Sequence, residues 1–310
     1  MHIGIVVVYM VKPENEPLLE LHLRQIRTLT DASYTIYAGV NHLKPRLRKL
    51  LENEPHVKVV PLPETTLRGG PQHSFYLEHL ISTAMSDDST HIVILHVDSF
   101  PIRSDWVEII TGKLNECSVL STISHNHYLA LYTACLCFRK DFYVKYHPDF
   151  LLTKDERSSE DYRRFSRKYA HYPIDSGVGF VFKAFCRGLS WVGLERSNAG
   201  EDHGWYGSVY EDSIFHLVGA YRHRRLSSRD TSFTLRALYR VFFGIVNAVR
   251  VRLEGKLPRA VWDLVRFMGF PLLLSRPSRS YDQVRSQLLH DPEGYLDYLR
   301  YGEIANEKNR

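Results

Sequence analysis

The stretch HIVILHVDSFP, residues 91–101, carries a short apolar run into a histidine and an aspartate two positions apart, and it stops at a proline. A brief β-branched run closed by a turn former predicts a strand buried on both faces. Strands of that kind belong to parallel sheets covered by helices. The polar end has two readings. His96 and Asp98 are either the point where the strand emerges into solvent, or a carboxylate delivered to a metal ion.

The residues before this stretch supply its setting. Residues 3–9 predict a first buried strand, and ENEPLLELHLRQIRTL puts Leu19, Leu23 and Ile26 at helical spacing. SYTIYAGV (33–40) predicts a second strand closed by Asn41, LKPRLRKLLENE a short helix, and VKVVPL (57–62) a third strand. LRGGPQHS reads as a loop opening a helix through FYLEHLISTAM, which makes the quoted stretch the fourth strand. Such alternation predicts an α/β fold with a mostly parallel sheet and helices on both faces. Ligands of these sheets bind at the carboxyl ends of the strands. Asn41, the Gly69–Gly70 loop and His96–Asp98 all fall at such ends.

Beyond residue 102 the pattern changes. SDWVEIITGKLNE predicts a helix with Ser104 as N-cap. SVLSTIS and YLALYTACLCF read as strands, and KDERSSEDYRRFSRKYA as a charged, exposed helix or loop. DSGVGFVFKAFCRGLSWVGL predicts a helix running into a strand. Residues 232–310 are expected to be mainly helical, broken near Pro258, Pro271 and Pro277.

Hydrophobic residues at 44% and charged residues at 24% over 310 positions are ordinary globular values. Four cysteines, Cys117, Cys135, Cys137 and Cys186, make no disulfide framework in so long a chain and are expected to be buried reduced thiols. The N-terminus reads as a strand rather than a signal peptide. No run reaches the roughly 18 apolar residues of a membrane span. The net charge of +5 is uneven: residues 222–310 hold 17 Lys+Arg against 9 Asp+Glu, leaving 23 basic and 26 acidic residues before them. That local excess points to phosphates or an anionic surface near the C-terminus, not to a nucleic-acid-binding protein.

Four strands with an acid at the end of the fourth, and the line LHVDSFPIRSDWVE, resemble the GT-A glycosyltransferases of the nucleotide-diphospho-sugar transferase superfamily, family 2-like members in particular. Their DxD motif occupies this place. The resemblance covers roughly residues 1–230 and implies a GT-A-like mixed sheet flanked by helices, with 231–310 as a helical C-terminal extension. It implies that Asp98 binds a divalent cation, Mn²⁺ or Mg²⁺, with His96 standing where the first acid of the motif would be and able to contact the donor. LRGGPQHSFYLEHLISTA resembles the loop and helix before the motif, which puts His73 close to the donor; Asn41, at the end of the second strand, is also expected to bind the donor. In YPIDSGVGFVFKAFCRGLSWVGLERS, Asp175 matches the general base of inverting members. VYEDSIFHLVGAYRHRR resembles a closing segment, in which His216 is a second metal ligand and Arg222 and Arg224 face the diphosphate. That segment is expected to order over the donor.

Each position has a plainer reading beside it. Asp175 fits the N-cap of a helix beginning at Ser176, His216 a core histidine between Phe215 and Leu217, and His73 and Asn41 structural positions. Glu201-Asp202 and Glu211-Asp212 are rival bases or solvated turns. Residues 233–253 mix apolar residues with Arg236, Arg240, Arg250 and Arg252, as in a helix at an anionic membrane face or one packed with snorkelling arginines. The expectation is a metal-assisted, inverting hexosyl-type transferase of polysaccharide biosynthesis. It takes a nucleotide-diphospho-sugar donor and a glycan, lipid-linked glycan or small hydroxyl acceptor, and it works in the cytoplasm or at the inner face of the membrane. The rivals are a non-catalytic sugar-nucleotide or glycan-binding module and a metallohydrolase built on His96, Asp98, His203 and His216.

Overall fold

The computed structural model describes residues 1–11, 15–41, 43–114, 118–125, 128–169, 177–198, 206–218 and 279–301. Four strands form the parallel part of the sheet: β1 (His2–Tyr9), β2 (Ser33–Val40), β3 (Val57–Pro61) and β4 (His91–Leu95). Their β-branched runs are buried because helices cover the sheet. Ile3, Ile5, Val6, Val7, Ile92, Val93 and Ile94 are all fully buried. α1 (Glu16–Leu29) turns Leu19, Leu23 and Ile26 inward, as their spacing predicts. α2 (Pro45–Asn53) buries Leu47 and Leu51, and α3 (Gly70–Met85) lays Tyr76, Leu77, Leu80 and Ile81 against the sheet.

The full sheet is mixed. Its order is β3-β2-β1-β4-β7-β6-β8, with β6 (Ser118–His125), β7 (Tyr128–Arg139) and β8 (Ser190–Leu194) completing it. The four strands of the first hundred residues pair in parallel as expected, and β6 pairs β8 in parallel, while β7 runs antiparallel to both β4 and β6. The connection from β6 to β7 is too short for a crossover, so the two pair as neighbours running in opposite directions. A second sheet of three short strands, β5-β10-β9, joins β5 (Ser99–Pro101), β10 (Ile214–Leu217) and β9 (Gly207–Tyr210). The architecture is α/β, a mixed sheet flanked by helices.

Some details depart from the sequence reading. α4 (Trp106–Gly112) has Asp105, not Ser104, at its N-cap position, and Arg103 holds the Asp105 carboxylate at 2.6 and 3.0 Å instead of leaving it to cap. Of the cysteines, Cys135 and Cys137 are buried free thiols, but Cys186 is exposed near the end of its helix and Cys117 lies outside the described residues. α5 (Lys140–Tyr146) follows β7 directly. KDERSSEDYRRFSRKYA forms two helices, α6 (Lys154–Ser158) and α7 (Glu160–Tyr169), the first opened by a capping box between Thr153 and Glu156. α8 (Val178–Cys186) begins after Gly177, whose φ of +98° suits glycine. Gly177 therefore takes the N-cap place offered to Asp175.

Contacts divide the chain into two units, one of Met1–Ala199, Ser208–His216 and Glu293–Arg310, the other of Gly200–Gly207 and Leu217–Pro292. In the second unit α9 (Arg279–His290) buries Val284 and Leu288. In the first, α10 (Pro292–Tyr301) returns to the small sheet, with the Tyr295 ring 6.2 Å from that of Phe215. No helix among the described residues is long and apolar enough to cross a membrane. Residues 233–253 lie outside the described residues.

Candidate metal centre

β4 ends at Leu95, and the next four residues close a tight turn in which the Ser99 amide donates to the His96 carbonyl at 2.9 Å. The turn carries His96 and Asp98 at the carboxyl edge of the sheet and leads into β5. β5 pairs antiparallel with β10 in a register that sets His216 opposite Ser99. Asp98 and His216, 118 positions apart in the chain, thereby become neighbours.

Asp98 Oδ1 lies 3.8 Å from His96 Nδ1 and 3.9 Å from His216 Nε2. One ligand atom from each of the three residues fits within 4.8 Å of the others. The carboxylate is 4% exposed, and Oδ1 has no hydrogen-bond partner among the described residues. Burial pushes its pKa up to about 7, opposed only by its own backbone N–H. His96 is oriented from behind, because its Nε2 lies 2.9 Å from the Thr133 hydroxyl on β7. If Thr133 accepts there, the Nδ1 lone pair is left facing Asp98, the arrangement that a ligating imidazole needs.

A divalent ion fits this donor set. Donors about 2.2 Å from an ion and spread at 120° are about 3.8 Å apart. The observed separations match, and the unpartnered carboxylate oxygen would gain the counter-charge its burial lacks.

His73 sits in the first turn of α3 with its ring edge-on to that of His96, the centroids 4.9 Å apart, so it borders the cluster. Asn41 follows β2 and donates from Nδ2 to the Tyr76 hydroxyl at 2.6 Å. It lines a neighbouring cavity with Glu64, Thr65, Arg68, Gln72 and Tyr76. His216 lies on β10, which pairs with β5, and it is buried beside Asp98. Asp175, Asp202, His203, Arg222 and Arg224 lie outside the described residues. Glu211 and Asp212 form a tight turn at positive φ (49° and 50°), with Glu211 accepting from the Glu195 amide and paired to Lys113. Those bonds give Glu211 a structural part. Thr133 and Tyr76 escaped the sequence reading, since each matters only through pairing or packing with a residue far along the chain.

No protein-family model matches the chain, and no curated protein matches it. Solved structures do. A mannosyltransferase from Pyrobaculum calidifontis, in complex with GDP-Man and Mn²⁺, is 12% identical over 48% of this chain and 47% of its own, with a TM-score of 0.37. The glycosyltransferase GlyE of Streptococcus pneumoniae is 9% identical over 64% and 46%, at 0.37. The catalytic domain of Drosophila beta1,4galactosyltransferase 7, complexed with xylobiose, is 12% identical over 76% and 78%, at 0.39. The solved structures that resemble the chain include glycosyltransferases. The chain spans about half the length of the first two. None of these likenesses bears on the site, whose chemistry rests on its own atoms.

Proposed function

We propose that the protein is a metal-assisted glycosyltransferase that moves a sugar from a nucleoside-diphosphate donor to a hydroxyl acceptor. The observation that carries this reading is the buried Asp98 oxygen without a hydrogen-bond partner, facing two imidazoles at the carboxyl edge of the sheet. Asp98 and His216, with His96, would hold the cation. A bound cation would supply electrophilic stabilisation of the diphosphate as the leaving group gains charge. Two imidazoles with one carboxylate suit Mn²⁺ better than Mg²⁺, which favours oxygen ligands.

The chain's own residues do the rest. Thr133 fixes the His96 ring. Asn41 and His73 border the donor, and Arg222 and Arg224 are assigned to its phosphates. Asp175, by its match to the inverting members, takes the proton from the attacking hydroxyl. The acceptor is proposed to be a glycan, a lipid-linked glycan or a small hydroxyl compound, and a peripheral membrane contact is assigned to 233–253.

A second reading has one observation in its favour. Two histidines and a carboxylate also form the ligand set of catalytic zinc sites. Incubation of the full chain with a panel of nucleotide-sugars and Mn²⁺, with and without sugar acceptors, separates the two. Release of nucleoside diphosphate that rises with acceptor supports the transferase. Cleavage of simple esters by the zinc-loaded protein, with every nucleotide-sugar left intact, would favour the hydrolase.

A further inference from the structure

The cavity lined by Asn41, Glu64, Thr65, Arg68, Gln72 and Tyr76 has a volume of about 370 Å³, in the range that holds small ligands. Its floor is built around Tyr76, whose side chain is fully buried. Two carboxamide nitrogens converge on the phenol oxygen, Asn41 Nδ2 at 2.6 Å and Gln72 Nε2 at 3.1 Å. An oxygen that accepts twice keeps its own hydrogen to donate, and each carboxamide keeps its oxygen to accept. Arg68 commits Nη1 to the carbonyls of Thr65 and Leu67, at 3.1 and 2.9 Å, which leaves its other N–H groups as donors at the wall. Glu64 is exposed at the rim and forms no ion pair or hydrogen bond with the other described residues. The wall therefore combines a carboxylate and two carboxamide oxygens as acceptors with one guanidinium as donor, the buried Tyr76 hydroxyl serving to hold the two carboxamides. Gln72 of the cavity wall immediately precedes His73 on α3, and the His73 ring meets that of His96.

We infer that this cavity selects guanine as the base of the nucleoside diphosphate, an inference that rests on the nucleotide-sugar reading above. Guanine carries two adjacent donors, N1–H and the N2 amine, beside two acceptors, O6 and N7. Glu64 and the carboxamide oxygens answer the donors, while Arg68 answers the acceptors. Uracil offers one N–H between two carbonyl oxygens and would leave the acceptor side facing acceptors. Adenine has no carbonyl for the guanidinium. A site built to hydrogen-bond a group rejects the analogue lacking it far more strongly than an apolar pocket does.

Calorimetric titration of the full chain with the diphosphates of guanosine, inosine, uridine and adenosine, each with Mn²⁺, tests this. Guanosine diphosphate should bind at least about tenfold tighter than the uridine and adenosine compounds. It should also bind about tenfold tighter than the inosine compound, which lacks only the N2 amine. Glu64→Gln should shrink the guanosine-to-inosine ratio to within about threefold, with the melting temperature unchanged. Equal binding of uridine or adenosine diphosphate, or a ratio indifferent to Glu64→Gln, overturns the guanine assignment and leaves the transferase reading standing. Binding of none of the four overturns both.

Discussion

A carboxylate buried to 4% exposure with an unsatisfied oxygen is costly unless a cation meets it, and that cost marks Asp98 as a residue kept for chemistry. Asp98→Asn removes the charge and keeps the shape. The variant should lose the rise in melting temperature that Mn²⁺ gives the wild type, while the metal-free variant melts no lower than metal-free wild type. Thermal melts with Mn²⁺ and with chelator check both halves, and a variant still stabilised by Mn²⁺ would show that the metal sits elsewhere. His22 shows the opposite case, a buried titratable group with no ligand to wait for. Its ring is fully buried beside Tyr9 and Phe100, and burial lowers its pKa to about 3 against a backbone contact to Ser99 that raises it. The unfolded chain takes up this proton near pH 6.5 and the folded protein only near 3. Stability from this group is therefore complete above pH 6.5 and lost as the pH falls toward 3. Denaturant unfolding at pH 7 and pH 4.5 should show a smaller acid loss for His22→Phe than for wild type, by about 2 kcal/mol.

Among elements, the parallel half of the fold was legible because its information is local. β1, β2, β3 and β4 are short β-branched runs separated by helix-period segments, so strand type and sheet edge followed from the pattern alone. The turn at His96–Asp98 was legible for the same reason. What stayed hidden depends on distant pairing: β7 inserted antiparallel beside β4, Thr133 brought behind His96, and β10 laid along β5. No periodicity encodes a partner more than a hundred residues away, and His216 was reached through family resemblance instead. Packing of α8 was equally invisible. Gly179 lies on its inner face, where an added Cβ would fall 2.0 Å from the Asp149 carbonyl oxygen, a backbone atom that cannot swing aside. Glu78 holds that same loop by accepting the Phe150 and Leu151 amides at 3.0 and 3.4 Å. Gly179→Ala should therefore destabilise the fold by about 1–3 kcal/mol, the usual range for overpacking, as read by urea unfolding. An alanine that costs nothing would mean that the helix and loop are not in contact in solution.

At the scale of the whole molecule, the C-terminal helix changes what a truncation should do. By sequence, residues 231–310 read as a helical C-terminal extension. The structure gives α10 a place in the unit that carries the metal cluster. Leu296 is fully buried and Tyr295 nearly so, with the Tyr295 ring meeting Phe215, the residue before His216. Arg300 donates from Nε to the Ile102 carbonyl, at the end of β5 where the Ile102 amide in turn donates to the Ser213 carbonyl at 2.8 Å. Arg24 on α1 pairs with Glu293 at 2.9 Å, an exposed pair that adds little by itself. The helix thus braces, from the far side, the β5–β10 pair that brings His216 to Asp98. Loss of its buried side chains should loosen that pairing before it unfolds the main sheet, whose own core is separate residues of β1, β4 and α3. A chain ending at 291 should keep its far-UV circular dichroism in proportion to its length. It should nonetheless bind Mn²⁺ at least about tenfold more weakly, since supporting contacts of a metal site are commonly worth that factor. Arg300→Ala should show a smaller loss in the same direction, and titration of Mn²⁺ into the three proteins gives the comparison. Undiminished affinity in the truncated chain would mean that β5 and β10 hold the site unaided, and that α10 serves only to cover the apolar back of the small sheet.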